Sequence, residues 1–305
     1  MYIEEIERIM PKGIGDEMQG RKVLSFSLFG RKAKYIRGAH KNLAQQPVRF
    51  PGWVCRFYVS TDVPVRDIDD LRDNGAEIII MRPESGTVGS MWRFLAHDEE
   101  DVCACLFLDV DTFLRKWQLC VAKEWLSSDK HYCIMRGSSA HNSMAAGRWG
   151  VKGGSSVAVN MRQEIEKFLA CQKVKNLGYG IDEKFLNRVI YPRIFHHTLI
   201  YSESTLFPGE TVHAFPRPAS GSWPTTEIPS HSWRFLTEKP KIVLSSDQGR
   251  VERYRQYWKS AMHVSGDGLF IMVTCLKEFQ FIFFFCHLCA VIRRLPRKFK
   301  KRRYV

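Results

Sequence analysis

Val102-Cys-Ala-Cys-Leu-Phe-Leu-Asp109-Val-Asp111-Thr112 is an unbroken apolar run that stops at two carboxylates one residue apart. Seven consecutive apolar residues without alternation suit a strand buried on both faces, as in a parallel sheet covered by helices on each side. Three similar runs precede it. Lys22 to Phe29 closes at Gly30, Trp53 to Ser60 follows a helix-forming stretch Lys32 to Gln46 that ends before Pro47, and Ala76 to Met81 follows a short helix Asp67 to Asn74. With a helix at Ser90 to His97 the rhythm is β-α-β-α-β-α-β, which predicts a doubly wound sheet with its ligand site beyond the carboxyl ends of the strands.

Downstream the pattern predicts a helix at Gln118 to Ser127, a strand at Tyr132 to Met135, a Gly-rich loop at 147–154 and a helix at Ile181 to Ile190. Residues 192–240 are Pro-, Ser- and His-rich with little periodicity, and read as a lid or a loosely packed extension. The first 20 residues read as a lead-in. They hold no apolar stretch of signal-peptide length, so a cytoplasmic location is expected.

The 305 residues carry a net charge of +14 and are 45% hydrophobic and 12% aromatic, which excludes wholesale disorder. Half of the positive excess sits in residues 267–305, where nine Lys and Arg face only Asp267 and Glu278. The body is therefore only mildly basic. It carries no zinc-finger spacing and no aromatic RNA-binding strand, so no specific nucleic-acid partner is expected. Nine scattered cysteines, several inside apolar runs, read as reduced core residues.

Residues 269–292 form two apolar pieces separated by Lys277 and Glu278, and eight Lys and Arg follow between 293 and 303. This predicts an apolar helix at 266–292, docked on the body or lying on an anionic membrane, and a polybasic tail at 293–305. The globular domain is bounded at 21–265.

In an extended backbone an i, i+2 pair points to one side, so Asp109 and Asp111 are candidate ligands for a hard divalent cation, Mn²⁺ or Mg²⁺, that also takes substrate phosphates. His141, His196 and His197 are candidates for a further ligand.

Around this motif the chain resembles nucleotide-sugar-dependent glycosyltransferases of the GT-A type, and more closely a small group of bacterial and viral glycosyltransferases of polysaccharide synthesis. The resemblance runs through Phe26-Ser-Leu-Phe-Gly30, Tyr35, Gly38-Ala39, Asn42, Pro51-Gly-Trp53, Met91-Trp-Arg-Phe94, Asp109-Val-Asp111 and Glu124-Trp-Leu126. It continues through Met135-Arg136, His141, Gly147-Arg-Trp-Gly150, Tyr179-Gly-Ile-Asp-Glu-Lys-Phe-Leu186 and Ala214-Phe-Pro216.

It implies a Rossmann-like, GT-A-like three-layer α/β/α domain with a mostly parallel central sheet. It also implies a nucleoside-diphosphate-sugar donor, a glycan or other hydroxyl acceptor, and a metal held by Asp109 and Asp111. Asp109 would lie near the ribose and Arg93 beside the nucleotide. Arg136, Gly147, Trp149 and Gly150 would contact the donor sugar, and Asp182 or Glu183 would take the proton of the acceptor hydroxyl. Asp182 also suits a helix N-cap.

Those relatives carry an Arg before the first Asp and an acidic residue after Met-Arg, where this chain has Leu108 and Gly137. An inactive carbohydrate-binding or scaffold protein at a membrane is therefore the alternative. A phosphatase of the haloacid-dehalogenase type ranks lower, because its Asp pair belongs on the first strand and this pair follows the fourth.

Overall fold

The apolar runs pair into one sheet. In the computed structural model, which describes residues 3–11, 20–84, 87–137, 142–153, 159–172, 177–202, 205–207, 209–216 and 241–242, nine strands are hydrogen-bonded in the order β1-β4-β3-β2-β5-β7-β6-β8-β10. They are β1 (Glu5–Ile9), β2 (Arg21–Leu28), β3 (Val54–Ser60), β4 (Glu77–Met81), β5 (Val102–Leu108), β6 (Tyr132–Arg136), β7 (Arg148–Lys152), β8 (Thr198–Ser202) and β10 (Val212–His213). A separate pair joins β9 (Thr205–Leu206) to β11 (Lys241–Ile242). Only β1 and β7 run antiparallel to their neighbours, so the mixed α/β class with a mostly parallel sheet is borne out.

Two helical layers cover this sheet. Leu24, Phe26 and Leu28 of β2 pack in one cluster with Ala39 and Leu43 of α1 (Ala33–Arg49), Ile68 and Leu71 of α2 (Val65–Asp73), and Trp117, Val121 and Trp125 of α3 (Lys116–Ser127). The alternate residues of β2 face a 3₁₀ helix, Val88–His97. Ser25 Oγ donates to Arg93 O at 2.7 Å, and Ser27 Oγ accepts from Arg93 N at 2.9 Å. On that face Phe94 meets Phe107 and Trp149 at centroid distances of 5.6 and 5.5 Å, and Phe185 meets Phe168 of α4 (Met161–Ala170) at 5.4 Å. Two serines inside an apolar strand thus tie the backbone of a 3₁₀ helix laid across it to the sheet.

The strands and helices depart from the sequence reading at Pro47, in the first 20 residues, at 147–154 and at 192–240. Pro47 does not end α1, which runs to Arg49. In the last turn a missing N–H forfeits one hydrogen bond, and Phe50 N still reaches Gln46 O at 2.8 Å. The first 20 residues are not merely a lead-in, since β1 adds an edge strand against β4. The expected loop at 147–154 contains β7, and residues 192–240 contribute β8 and β10 to the sheet. The expected domain boundary at 265, the apolar helix and the basic tail lie outside the described residues. Among the described residues no helix is long and apolar enough to cross a membrane, and Cys55, Cys103, Cys105, Cys120, Cys133 and Cys171 are free thiols.

Candidate functional site

After β4 the chain returns to the far side of β2 and lays down β5, so the winding direction reverses between these two strands. A crevice at such a switch point, outside the carboxyl ends, is where open α/β sheets place ligands. Here the β2 exit leads to Lys34 on α1 and the β5 exit leads to Asp109 and Asp111.

The extended-backbone premise does not survive. β5 ends at Leu108, and residues 109–112 close a turn in which Thr112 N donates to Asp109 O at 3.1 Å. The turn is clamped onto α1. Asn42 Nδ2 donates to Val110 O at 3.0 Å and Thr112 O at 2.9 Å, while its Oδ1 accepts from Leu114 N at 3.3 Å. Gly38 lies so close that an added Cβ would stand 2.3 Å from Val110 O. The two carboxylates therefore take different partners. Asp111 pairs with Lys34 Nζ at 3.0 Å, and that hydrogen bond raises the Lys34 ammonium above its usual value. Asp109 pairs with Arg93 Nη1 at 2.8 Å.

Arg93 is buried and serves both carboxylate groups of the site. Its Nη1 also donates to Leu108 O, and its Nη2 bonds Asp182 Oδ2 at 2.9 Å. Asp182 and Glu183 open a helical stretch built from α5 (Ile181–Phe185), a π turn (Leu186–Ile190) and α6 (Tyr191–Ile194). The N-cap is Gly180, not Asp182, whose Oδ1 instead accepts from Glu183 N at 2.9 Å. The Glu183 carboxyl accepts from Asn142 Nδ2 at 3.0 Å. Burial, and after it the neighbouring Asp182 and the more distant Asp109, push this carboxyl above the usual glutamate range.

The two residues after Asn142 are held in turn by Asn187. The Asn187 side chain accepts from Ser143 Oγ and Met144 N, at 2.6 and 3.0 Å, and donates to Met144 O and Glu183 O, at 2.8 and 2.7 Å. A buried polar network so satisfied fixes one loop geometry. Lys34, Asn142 and Asn187 were not singled out from the sequence, because lone polar residues carry no spacing signal.

Gly147 belongs to the site for steric reasons, since a Cβ there would meet Asp109 Oδ2 at 2.2 Å. The other expected donor-sugar residues are placed differently. Trp149 is fully buried, with its ring 4.1 Å from that of Phe107, and presents no face to a sugar. Gly150 faces β5, where a Cβ would stand 2.7 Å from Cys105 O. Arg136 is 1% exposed and its guanidinium is spent on Ser143 O at 2.7 Å and on both carboxylate oxygens of the buried Glu210. Tyr191 Oη and Phe207 N also donate to Glu210. His196 and His197 sit at the amino end of β8, the opposite edge of the sheet from Asp109, and His141 lies outside the described residues.

No group of three acidic, His or Cys side chains able to hold a metal occurs among the described residues. The pair alone suits an ion that needs few protein ligands, because Mg²⁺ and similar ions are commonly held by one or two carboxylates plus substrate phosphates. Asp109 and Asp111 keep 42% and 37% of their side chains exposed, which leaves oxygens open on each.

No protein-family model and no curated protein matches the chain. Among solved structures it is similar to a galactosyltransferase, LgtC, in complex with donor and acceptor sugar analogues. The likeness is at 14% identity and a TM-score of 0.39, over 72% of this chain and 98% of that one.

Proposed function

We propose that this protein is a glycosyltransferase that moves a sugar from a nucleoside-diphosphate donor to a hydroxyl of a glycan acceptor, with Mn²⁺ or Mg²⁺ held at Asp109 and Asp111. The observation that carries this reading is the arrangement around Arg93. An accessible carboxylate, Asp109, lies on one prong of the guanidinium and a shielded one, Asp182, on the other, with Glu183 next to Asp182 in the chain, where the sheet reverses its winding.

Breaking a sugar C1–O bond expels a diphosphate, and a divalent ion supplies electrophilic stabilisation of that leaving group. The chain's own residues prepare the rest. Lys34 brings a further positive charge to the rim, where a diphosphate needs it. Arg93 holds Asp109 and Asp182 in fixed orientation, and a planar two-pronged cation does this where an ammonium would serve one carboxylate at a time. Glu183 is the group we assign to accept the proton of the acceptor hydroxyl, since a carboxyl raised by burial is a stronger base than one in water and general bases work best near the operating pH. Asn142 donates to that carboxylate, and Asn187 holds the Glu183 backbone carbonyl.

The test is a screen of UDP-, GDP- and TDP-sugars for hydrolysis and transfer by the full chain with Mn²⁺, with and without EDTA. Turnover of at least one donor that EDTA abolishes is expected. Hydrolysis of simple phosphate esters with no sugar-nucleotide turnover overturns the reading in favour of a phosphatase. Nucleotide binding indifferent to metal overturns it in favour of a binding protein.

We further propose that residues 268–305 bring the domain to an anionic lipid surface, on the strength of their composition. Sedimentation of the full chain with phosphatidylserine vesicles but not with neutral vesicles, weakened by salt, is expected. Equal binding to both overturns it.

A further inference from the structure

Three residues before Asp182 the chain carries an aromatic ring left fully in solvent. Exposed large apolar side chains among the described residues are Ile6, Val48, Val65 and Tyr179. Tyr179 is the one aromatic, at 102% exposure. It is three residues before Asp182 and four before Glu183, so its Cα lies within about 11 Å of that of Asp182.

Its loop is anchored. Thr87, at the foot of the 3₁₀ helix that carries Arg93, donates from its N–H to Leu177 O at 3.0 Å and from Oγ1 to Gly178 O at 2.7 Å. The backbone that presents the ring is thus tied to the two elements that build the carboxylate site. A glycine stands on each side of the ring. A Cβ on Gly178 would meet nothing within 4 Å, and no left-handed backbone angle requires glycine there. Neither packing nor conformation explains that residue.

We propose that Tyr179 is the acceptor platform of this site, stacking on the apolar C–H face of a pyranose in the glycan that receives the transferred sugar. The inference rests on the glycosyltransferase reading and deepens it, assigning a residue to the binding of the glycan acceptor. A rigid amphipathic ring gains from a sugar on both counts. Its face excludes water from the C–H groups, and its hydroxyl stays available to ring hydroxyls. Its place in the chain also suits an acceptor, because the ring precedes Glu183, the group assigned to the acceptor hydroxyl, by four residues.

The experiment uses the full chain, Tyr179→Ala and Tyr179→Phe, with maltose, cellobiose and lactose as acceptor probes. Binding is followed by calorimetry and transfer by steady-state kinetics with the donor found in the screen above. Tyr179→Ala is expected to weaken probe binding and raise acceptor KM about tenfold or more, with kcat at saturating acceptor within about twofold, while Tyr179→Phe retains most of the affinity. An unchanged acceptor KM in a chain that does transfer sugar overturns the platform and leaves the enzyme reading intact. If no donor is turned over, the enzyme reading fails on its own. The platform then stands or falls with calorimetry: loss of probe binding in Tyr179→Ala supports it, and absence of probe binding by the wild-type chain overturns it.

Discussion

Gly147 stands against the side chain of Asp109, so that a methyl group on Gly147 would fall 2.3 Å from Asp109 Cγ and 2.7 Å from its backbone nitrogen. The first residue of the Gly-Arg-Trp-Gly segment and the first aspartate of the Asp-Val-Asp turn thus share one space. Gly147→Ala must displace the turn or the start of β7. A destabilisation of about 1–3 kcal/mol is expected, as for other overpacked sites, with loss of metal-dependent nucleotide binding. Urea denaturation and calorimetry on the same variant check both.

Arg93→Ala is expected to cost about 3–5 kcal/mol, because Asp182, with 13% of its side chain exposed, would be left as an unpaired buried charge. Pairing Arg93→Ala with Asp182→Asn should recover much of the loss, since the second change removes the charge that the first strands. A chemical denaturation cycle measures the coupling, and a coupling near zero would show that the bridge carries no energy.

Asp111→Asn is expected to behave in the opposite way. Its carboxylate is on the surface and pairs with an exposed lysine, so the melting temperature should stay within about 1 °C of wild type, as for most surface substitutions. Mn²⁺-dependent binding of a nucleoside diphosphate should weaken at least about tenfold. Unchanged binding in a calorimetric titration would remove Asp111 from the metal site.

Glu183→Gln is expected to stabilise the metal-free protein near neutral pH. The folded chain holds the Glu183 proton more tightly than the unfolded chain does, so folding is favoured while the group is protonated and loses that advantage as pH rises from the ordinary glutamate range through the raised folded value. Glutamine escapes the loss. The gain in melting temperature should fade as pH falls to the ordinary glutamate range and below, and turnover should be lost at every pH. A variant less stable than wild type at neutral pH would contradict the assigned burial effect.

Glu210→Gln tests whether Arg136 is structural. Both side chains of this pair are fully buried, so a loss of about 3–5 kcal/mol is expected, with donor KM of the surviving fold unchanged. A selective rise in donor KM at wild-type stability would return Arg136 to the donor site.

The layer architecture was legible in the sequence, and so was the placing of Asp109 and Asp111 just beyond the carboxyl end of β5. Burial on both faces demands continuous apolar residues, and that demand is written locally into Leu24, Phe57, Ile79 and Leu106, each under 2% exposed. It did not determine β7 or β8. Both are short, and β7 holds a glycine whose role is to admit the Cys105 carbonyl of a neighbouring strand, a requirement that exists only once two distant segments are side by side. Tertiary structure likewise decided which of the candidate residues stayed at the site. Trp149 and Arg136 had the chemistry for sugar contact, but the volume of the sheet face drew in the indole, and Glu210, 74 residues away, took the guanidinium. Arg93 went the other way. Its place between Asp109 and Asp182 depends on three elements meeting, because a charge buried by packing must find its partners wherever the fold brings them.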